Sequence, residues 1–579
     1  MTTRDGRLLF VGVVTLVAVA LTGVALFGSG VGAAAGVDDG TETVDVTLTA
    51  DHELVESCAE EPPDDFAPPD DGNETVGWFD GYWYNEPLEV DASDGLTEDE
   101  LEAVSARTAA RFEAMRCLTF DSMPPVEIMD RDEFAAETDA QYADVDERTA
   151  QFDNAQFETM LLIGSEEDAI DVRQADRSAT VGGYYDFIED EIVVISDDPD
   201  QLQLDEAILA HELGHALQNQ HFDLAQYERD TRDLDNGKLG VIEGDVHRVE
   251  QQYLEYCEEE LWNEPCILDD GGEDEAAGQA PPNWGLYFMQ FQPYSDGPSF
   301  VDHVYEEGGW DAVNDLYDEM PRSSVEVIYP DRYGEFEPAD LEVEDRSNDD
   351  WERLTFEDGP DHNVIGQAGL SAMLMDPAYN DGEVIPGDQF LNTDSETGDV
   401  DSENPLNYDH DATDGWNGDR LYAYEDASGE ETATVWKQAW DDEDELATFV
   451  SAYEQLISVR GGEAVDGTAH TYEFGDGSDF EMALTLYPDG DRLWIVTAPT
   501  ADDLTAVHDE IEVLDDGASP LEDSDADADH ETDTTDDSED ADDAGDDGAA
   551  DGIPGFGIAI AVIAIGGSVA LGVGVRRRA

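Results

Sequence analysis

Basic side chains are scarce in this chain. Its 579 residues hold 24 Lys+Arg against 146 Asp+Glu, a formal net charge of -122. That balance excludes nucleic acid as a partner, because a phosphate backbone needs a positive face. Cysteine is scarce too: the four, Cys58, Cys117, Cys257 and Cys266, include no CxxC pair, so structural zinc on cysteine is not indicated. No fixed-period repeat is present, which sets aside solenoids and propellers. Aromatic residues are not lacking. Ten Trp, 21 Tyr and 21 Phe are spread along the chain, which sets it apart from a disordered polyanion.

The carboxylates run through the same segments that carry apolar periodicity. Self-repulsion at this density opposes a compact state in dilute buffer. Molar salt shortens the screening length to about 3 Å and removes much of that penalty. The composition resembles that of haloarchaeal proteins, and it reads as adaptation to salt rather than as a signal of a partner.

Both ends read as addresses. Arg4 and Arg7 precede an apolar run from Leu8 to Phe27, and Ala33-Ala34-Ala35 follow. This is the pattern of a secretory signal peptide over residues 1–35, with an uncleaved anchor as the alternative. Residues 515–551 are Asp, Glu, Ser, Thr, Ala and Gly with few apolar side chains, a solvated acidic stalk. Residues 552–579 carry Pro554-Gly555-Phe556, an apolar stretch from Gly557 to Val575, and Arg576-Arg577-Arg578. The bland reading is a transmembrane anchor with its arginines inside the cell. The segment also resembles the PGF-CTERM sorting signal, which implies processing by an archaeosortase and attachment of a membrane lipid. Either way the bulk of the chain lies at the outer face of the membrane. In an exported chain four cysteines point to disulfides, and Cys257–Cys266 and Cys58–Cys117 are the expected pairs.

Between the ends, residues 36–95 read as an acidic, Pro-containing arm or propeptide. A helix is predicted from Thr97-Glu98-Asp99-Glu100 to about Cys117, a strand at 126–129 and a helix at 151–162. Tyr184-Tyr185-Asp186-Phe187 and Glu191 to Ile195 read as a hairpin turning at Glu189-Asp190. Helices are predicted at 204–222, 240–260, 299–317 and 364–375. After Trp416 the pattern changes: a strand at 420–425, a helix at 443–459, strands at 469–474, 481–487 and 492–498, and a helix at 501–511. The division is thus a main domain over 96–415 and a smaller α+β module over 416–514.

Chemistry concentrates in His211-Glu212-Leu213-Gly214-His215. On a helix, positions i and i+4 share a face, so both imidazoles reach one cation and Glu212 lies beside it. Two His and one further protein ligand leave zinc an open position for water. The metal lowers the pKa of that water toward ~7, and Glu212 takes its proton as general base. The flanks Ile208, Leu209, Ala210, Leu213, Ala216 and Leu217 are apolar or small, which predicts a buried helix. For the third ligand, His221 fits the HExxHxxGxxH spacing, but Gln218 stands where that pattern needs a helix-breaking glycine. Glu243, opening the next helix in Val241-Ile242-Glu243-Gly244-Asp245-Val246-His247, is favoured. Asp245 and His247 remain as further ligand candidates or as groups that orient the ligands.

The segment Ala210 to Leu224 resembles the HELxHALQDQHFDL signature of a group of gluzincin-like zinc metallopeptidases. Val241-Ile242-Glu243-Gly244-Asp245 and Gly183-Tyr184-Tyr185-Asp186 resemble it as well. So do Pro293-Tyr294 to Phe300, Gly308-Gly309-Trp310, Ser323-Ser324-Val325-Glu326 and Trp416-Asn417-Gly418-Asp419-Arg420. The resemblance implies an α+β, thermolysin-like core with Zn2+ held by His211, His215 and Glu243. It also implies that the strand before the active-site helix pairs with an extended peptide. A Tyr or His is expected to stabilise the oxyanion; Tyr329, Tyr184, Tyr185 and His362 are the candidates. The expected activity is hydrolysis of peptide bonds in a protein or peptide substrate at the cell surface. The alternative is a surface structural or adhesion protein that holds zinc without catalysis.

Overall fold

The computed structural model describes residues 58–515, with internal breaks of which 197–204 and 269–282 are the longest, and the short strand β1 (Val13–Leu16). All of the expected stalk (515–551) but Asp515, the segment at 552–579 and most of the leader at 1–35 lie outside the described residues. Among the described residues no helix is long and apolar enough to cross a membrane.

Two short strands, β2 (Trp78–Phe79) and β3 (Tyr82–Trp83), form a hairpin at the start of the described chain. The segment around them is no free arm. Phe79 and Trp83 are 1% and 3% exposed, and Phe79 packs in the same apolar cluster as Leu209, Ala210 and Leu213. A disulfide joins Cys58 to Cys117, and the Gly77 N–H donates to the buried Glu113 carboxylate.

Helix α1 (Glu98–Arg116) opens on a capping box, with Thr97 accepting from Glu100 N and Glu100 reaching back to Thr97 N. From Val104 to Arg116 it is buried all round, so it forms the centre of this half. Its Arg107, Arg111 and Arg116 are charged residues below 3% exposure, tolerable only because each meets a buried carboxylate. Next come β4 (Val126–Asp130), α2 (Arg131–Tyr142), α3 (Glu147–Thr159), α4 (Ala169–Thr180), β5 (Gly183–Asp186) and β6 (Glu191–Ser196). These strands make a four-stranded sheet, order β1-β5-β6-β4, with β4–β6 parallel and the other pairs antiparallel.

Helix α5 (Glu206–Phe222) lies against α1, the β5–β6 hairpin and α6 (Arg232–Glu258). It starts at Asp205, whose side chain accepts from Ala207 N, and ends at Asp223 in the left-handed region. Gly214 is required by the closeness of its neighbours. A Cβ there would sit 2.6 Å from Phe112 Cζ and 2.9 Å from Val246 Cγ1. Helix α6 begins two turns before its expected start. Helix α7 (Trp284–Leu316) begins before residue 299, continuing through Pro293 and Pro298, and breaks only at Gly309, where φ is 65°. Gly244 of α6 meets Gly297 of α7 so closely that a Cβ would lie 2.3 Å from Gly297 O.

Helix α8 (Ser324–Ile328), β7 (Trp351–Arg353) and α9 (Gly366–Met375) lead into a seven-stranded antiparallel sheet. Its remaining members are β8 (Trp416–Asp426), β9 (Thr432–Trp440), β10 (Gly462–Ala464), β12 (Thr471–Phe474), β13 (Ala483–Asp489) and β14 (Arg492–Ala498). The order is β10-β12-β13-β14-β9-β8-β7. Helix α10 (Glu443–Val459) packs on one face; α11 (Leu504–Val507) covers the other. Strands β11 (Thr468–Ala469) and β15 (Leu514–Asp515) form a separate pair. The division expected at residue 416 does not hold as a packing boundary. Strand β7 already pairs with β8, and one apolar cluster runs from α3 and α7 through α9 to α10.

Candidate metal centre

Helix α5 places His211 and His215 one turn apart with their rings facing a common point, 4.6 Å between centroids. The two Nε2 atoms are 2.9 Å from each other. Glu243, near the middle of α6, brings its Oε2 to 3.5 Å from His211 Nε2 and 3.4 Å from His215 Nε2. These three are the only His, Cys, Asp or Glu side chains among the described residues grouped closely enough to hold one ion. All are at most 1% exposed.

Each of the three is held from behind. His211 Nδ1 is 2.9 Å from Glu250 Oε2. His215 Nδ1 is 3.0 Å from Gln218 Oε1. The Tyr294 hydroxyl, from α7, donates to Glu243 Oε1 at 3.0 Å. Such outer contacts fix which ring nitrogen is free to bind a cation. Glu250 sits two turns after Glu243 on the same helix face, a spacing readable in the sequence but not used there. Tyr294 comes from a different element, and no spacing announces it.

Glu212 is fully buried; its oxygens make no well-formed hydrogen bond, although the Tyr185 main-chain N–H is close enough to favour its charged form. Burial first, then Glu243 and Glu250, push its carboxyl up to about 8 against the opposing pull of His211. Burial alone would lower the His211 imidazole, but Glu250, Glu243 and Glu212 outweigh it and raise it. Burial would raise the Glu243 carboxyl, but His215 and His211 outweigh it and bring it down. Three carboxylates thus converge on two imidazoles in a buried site, and both Glu212 oxygens lack a well-formed hydrogen bond. Such groups are expensive to bury alone. A divalent cation among His211, His215 and Glu243 answers that expense, and two imidazoles plus a carboxylate are a donor set that suits zinc with one position open.

Strand β5 runs over this site. A Cβ on Gly183 would lie 3.9 Å from Glu212 Oε1 and 3.2 Å from Val193 O, so the strand's backbone closely approaches the general-base candidate.

The other candidates lie apart from the three ligands. Asp245 is buried among Arg116, Tyr317 and Gln218 and holds no position in the cluster. His247 lies beside the site, its ring 6.3 Å from that of His211 and its Nδ1 3.6 Å from Glu250 Oε2. His221 is exposed and bonds Thr119 O. Tyr184 and Tyr185 point to opposite faces of β5. Tyr184 packs on Phe134, and the Tyr185 hydroxyl donates to Asp190 and accepts from Asn219. The Tyr329 hydroxyl is engaged by Asp409 and Gln367, and His362 by Arg420. Of these four only Tyr185 reaches the site, through its main-chain N–H toward Glu212 and not through its hydroxyl. The four cysteines form Cys58–Cys117 and Cys257–Cys266.

A family model described as a domain of unknown function, DUF8575, matches residues 352–508, which span α9 and most of the seven-stranded sheet. The matched stretch does not include His211, His215 or Glu243. No curated protein matches the chain, and no solved structure matches it.

Proposed function

We propose that this protein is a zinc-dependent peptidase of the gluzincin kind, tethered outside the cell by its acidic stalk. The observation that carries the reading is the convergence of His211, His215 and Glu243 beside a buried Glu212 whose oxygens lack a well-formed hydrogen bond. His211, His215 and Glu243 would hold the metal. Bound there, zinc supplies Lewis acidity toward water and the scissile carbonyl. Glu212 then serves as the base that removes the proton from the attacking water, and afterwards as the acid that returns it to the leaving amine. The outer side of strand β5 is taken by Val13–Leu16, within the expected leader, and once that leader is removed it would offer an extended substrate segment the same main-chain pairing. Gly183 keeps the space between that edge and Glu212 open.

The test is zinc content and casein cleavage of the full chain in molar KCl, for wild type and Glu212→Gln. The expected result is stoichiometric zinc in both, and cleavage reduced by about 10²–10⁴-fold in the variant. Cleavage indifferent to the substitution overturns the enzymatic reading. Zinc without cleavage in the wild type favours the non-catalytic surface protein. Wild type that takes up no zinc overturns both.

A further inference from the structure

We propose that Gln218 and Asp245 are positioning residues that set the tautomer of His215 and so present its Nε2 to the metal. The inference rests on the metal reading above and adds Gln218 as the link through which Asp245 acts on His215.

Gln218 can in principle turn either its oxygen or its nitrogen toward His215 Nδ1. The far end of the side chain decides. Gln218 Nε2 is 2.8 Å from Ile242 O and 3.3 Å from Asp245 Oδ2, both acceptors. The amide nitrogen must therefore face them, and the oxygen faces His215 at 3.0 Å. An oxygen there accepts only, so Nδ1 carries the hydrogen and the Nε2 lone pair is left for a cation. Gln218 is the residue that stands in place of a helix-breaking glycine; it continues the helix and holds its own ligand histidine.

Asp245 is in turn built in. Arg116 Nε donates to Oδ1 at 2.6 Å and its second terminal nitrogen to Oδ2 at 3.1 Å, and the Tyr317 hydroxyl donates to Oδ2 at 2.6 Å. Arg116 is fixed by Asn314 Oδ1 at 2.7 Å and by the Trp310 ring, 4.3 Å from its guanidinium carbon. Trp310, Asn314 and Tyr317 share one face of the short helical stretch that follows Gly309. The positive φ of Gly309 redirects α7 there. This gives Gly308-Gly309-Trp310 a use that the catalytic motif does not absorb. The chain of contacts crosses four elements, from α7 to α1 to α6 to α5, and Arg116, Gln218, Asp245 and Tyr317 are all below 5% exposure.

The test uses the full chain in molar KCl with Gln218→Met, which preserves bulk and removes both hydrogen-bonding ends. Zinc affinity is measured by competition with a chromophoric chelator, and the His215 tautomer by ¹⁵N-histidine NMR of metal-free protein in mildly alkaline solution. The expected result is zinc binding weakened about 10–100-fold and a wild-type Nδ1–H tautomer that becomes a mixture in the variant. Unchanged affinity together with an unchanged tautomer overturns the proposal. A wild type that takes up no zinc defeats the metal reading instead, and the metal-free spectra still decide this one. If Gln218→Met does not fold, Tyr317→Phe removes one donor from Asp245 Oδ2 and keeps the ring that stacks on Phe222 at 3.8 Å. It is expected to shift both readouts the same way by less, and no shift in either overturns the proposal.

Discussion

The Tyr294 hydroxyl donates to Glu243 Oε1 at 3.0 Å, tying the third ligand of the candidate centre to a helix that contributes nothing else to it. Tyr294 reaches that point because α7 crosses α6 at the Gly244–Gly297 contact, where neither helix carries a Cβ. Its ring stacks in series with Phe291 and Tyr287. Tyr294→Phe leaves this stack intact and removes only the donor. One oxygen of a fully buried carboxylate then loses its partner, a penalty of about 1–3 kcal/mol. Zinc affinity is expected to fall by about tenfold or more, with the metal-free melting temperature lowered by a few degrees at most. Chelator competition checks the first and circular dichroism the second; undiminished affinity would show that Glu243 needs no such support.

What the sequence disclosed follows from where each contact is made. His211, Glu212 and His215 are neighbours on one helix, so their relation is written in the i, i+4 spacing. Glu243 and Glu250 share a face of α6 in the same way, yet only Glu243 was singled out, because the seven-residue interval to Glu250 carries no motif. Tyr294 and Arg116 reach the site through tertiary packing alone, and no local pattern encodes that. Gln218 shows a different limit. Its position was read as evidence against one ligand, while its contact with His215 depends on Asp245 and Ile242 from another helix. In the fold, α10 matches its expected span because Asp442 caps it and its apolar stripe is regular. Helix α7 starts well before the expected 299 and carries Pro293 and Pro298 inside it, residues that ordinarily interrupt a helix. Strand β9 was missed altogether, since Lys437 and Gln438 interrupt the apolar run that its central place in the sheet requires.

Gly183 gives a way to separate metal binding from access to the base. A Cβ at this position meets Val193 O at 3.2 Å and points into the space 3.6 Å from Ile208 and 3.9 Å from Glu212. Gly183→Val therefore crowds Glu212 without touching His211, His215 or Glu243. Zinc content is expected to be unchanged while cleavage of casein falls by about 10²-fold, the scale of a disturbed catalytic alignment. Retained cleavage with retained zinc would mean that substrate and Glu212 do not meet beneath β5.

Stability is expected to fall with rising pH because of Asp233 and Asp419. Both are buried where α6 meets α8, α9 and β8: Asp233 accepts from Ser324, and Asp419 from Ile365 N and Gly366 N. Burial first pushes Asp233 up to about 6 and Asp419 up to about 7, with Asp233 adding to the rise at Asp419. Both folded values exceed the unfolded value of about 3.9, so the fold favours the protonated form. The associated stability is fully present below about pH 4 and is lost as pH rises through 6 and 7. Asp233→Asn retains an acceptor for Ser324 and does not ionise. Its melting temperature in molar KCl should gain on wild type between pH 4 and pH 8, by an amount worth up to about 3 kcal/mol. A difference that stays constant over that range would show that Asp233 does not titrate in the folded protein.

The two disulfides should differ in opposite senses for stability and for function. Cys58–Cys117 spans 59 residues and Cys257–Cys266 spans 9. On chain entropy alone the first contributes about 4 kcal/mol and the second about 2.5 kcal/mol. The short one, however, fixes the residue that meets the start of α5, the helix carrying His211 and His215. Ile267 N donates to Glu206 Oε2 at 2.9 Å, and Glu206 N donates to Ile267 O at 2.7 Å. Glu206 is itself locked to Arg111 at 2.6 Å and to Arg107. Releasing Cys266 loosens this clamp one helical turn before His211. Paired Cys→Ser replacement at 58 and 117 is therefore expected to lower the melting temperature more. The pair at 257 and 266 should lower zinc affinity more, while its melting temperature moves less. Parallel melts and zinc titrations of the two double variants read both rankings. The same order in both measurements would leave Glu206 as a purely structural group.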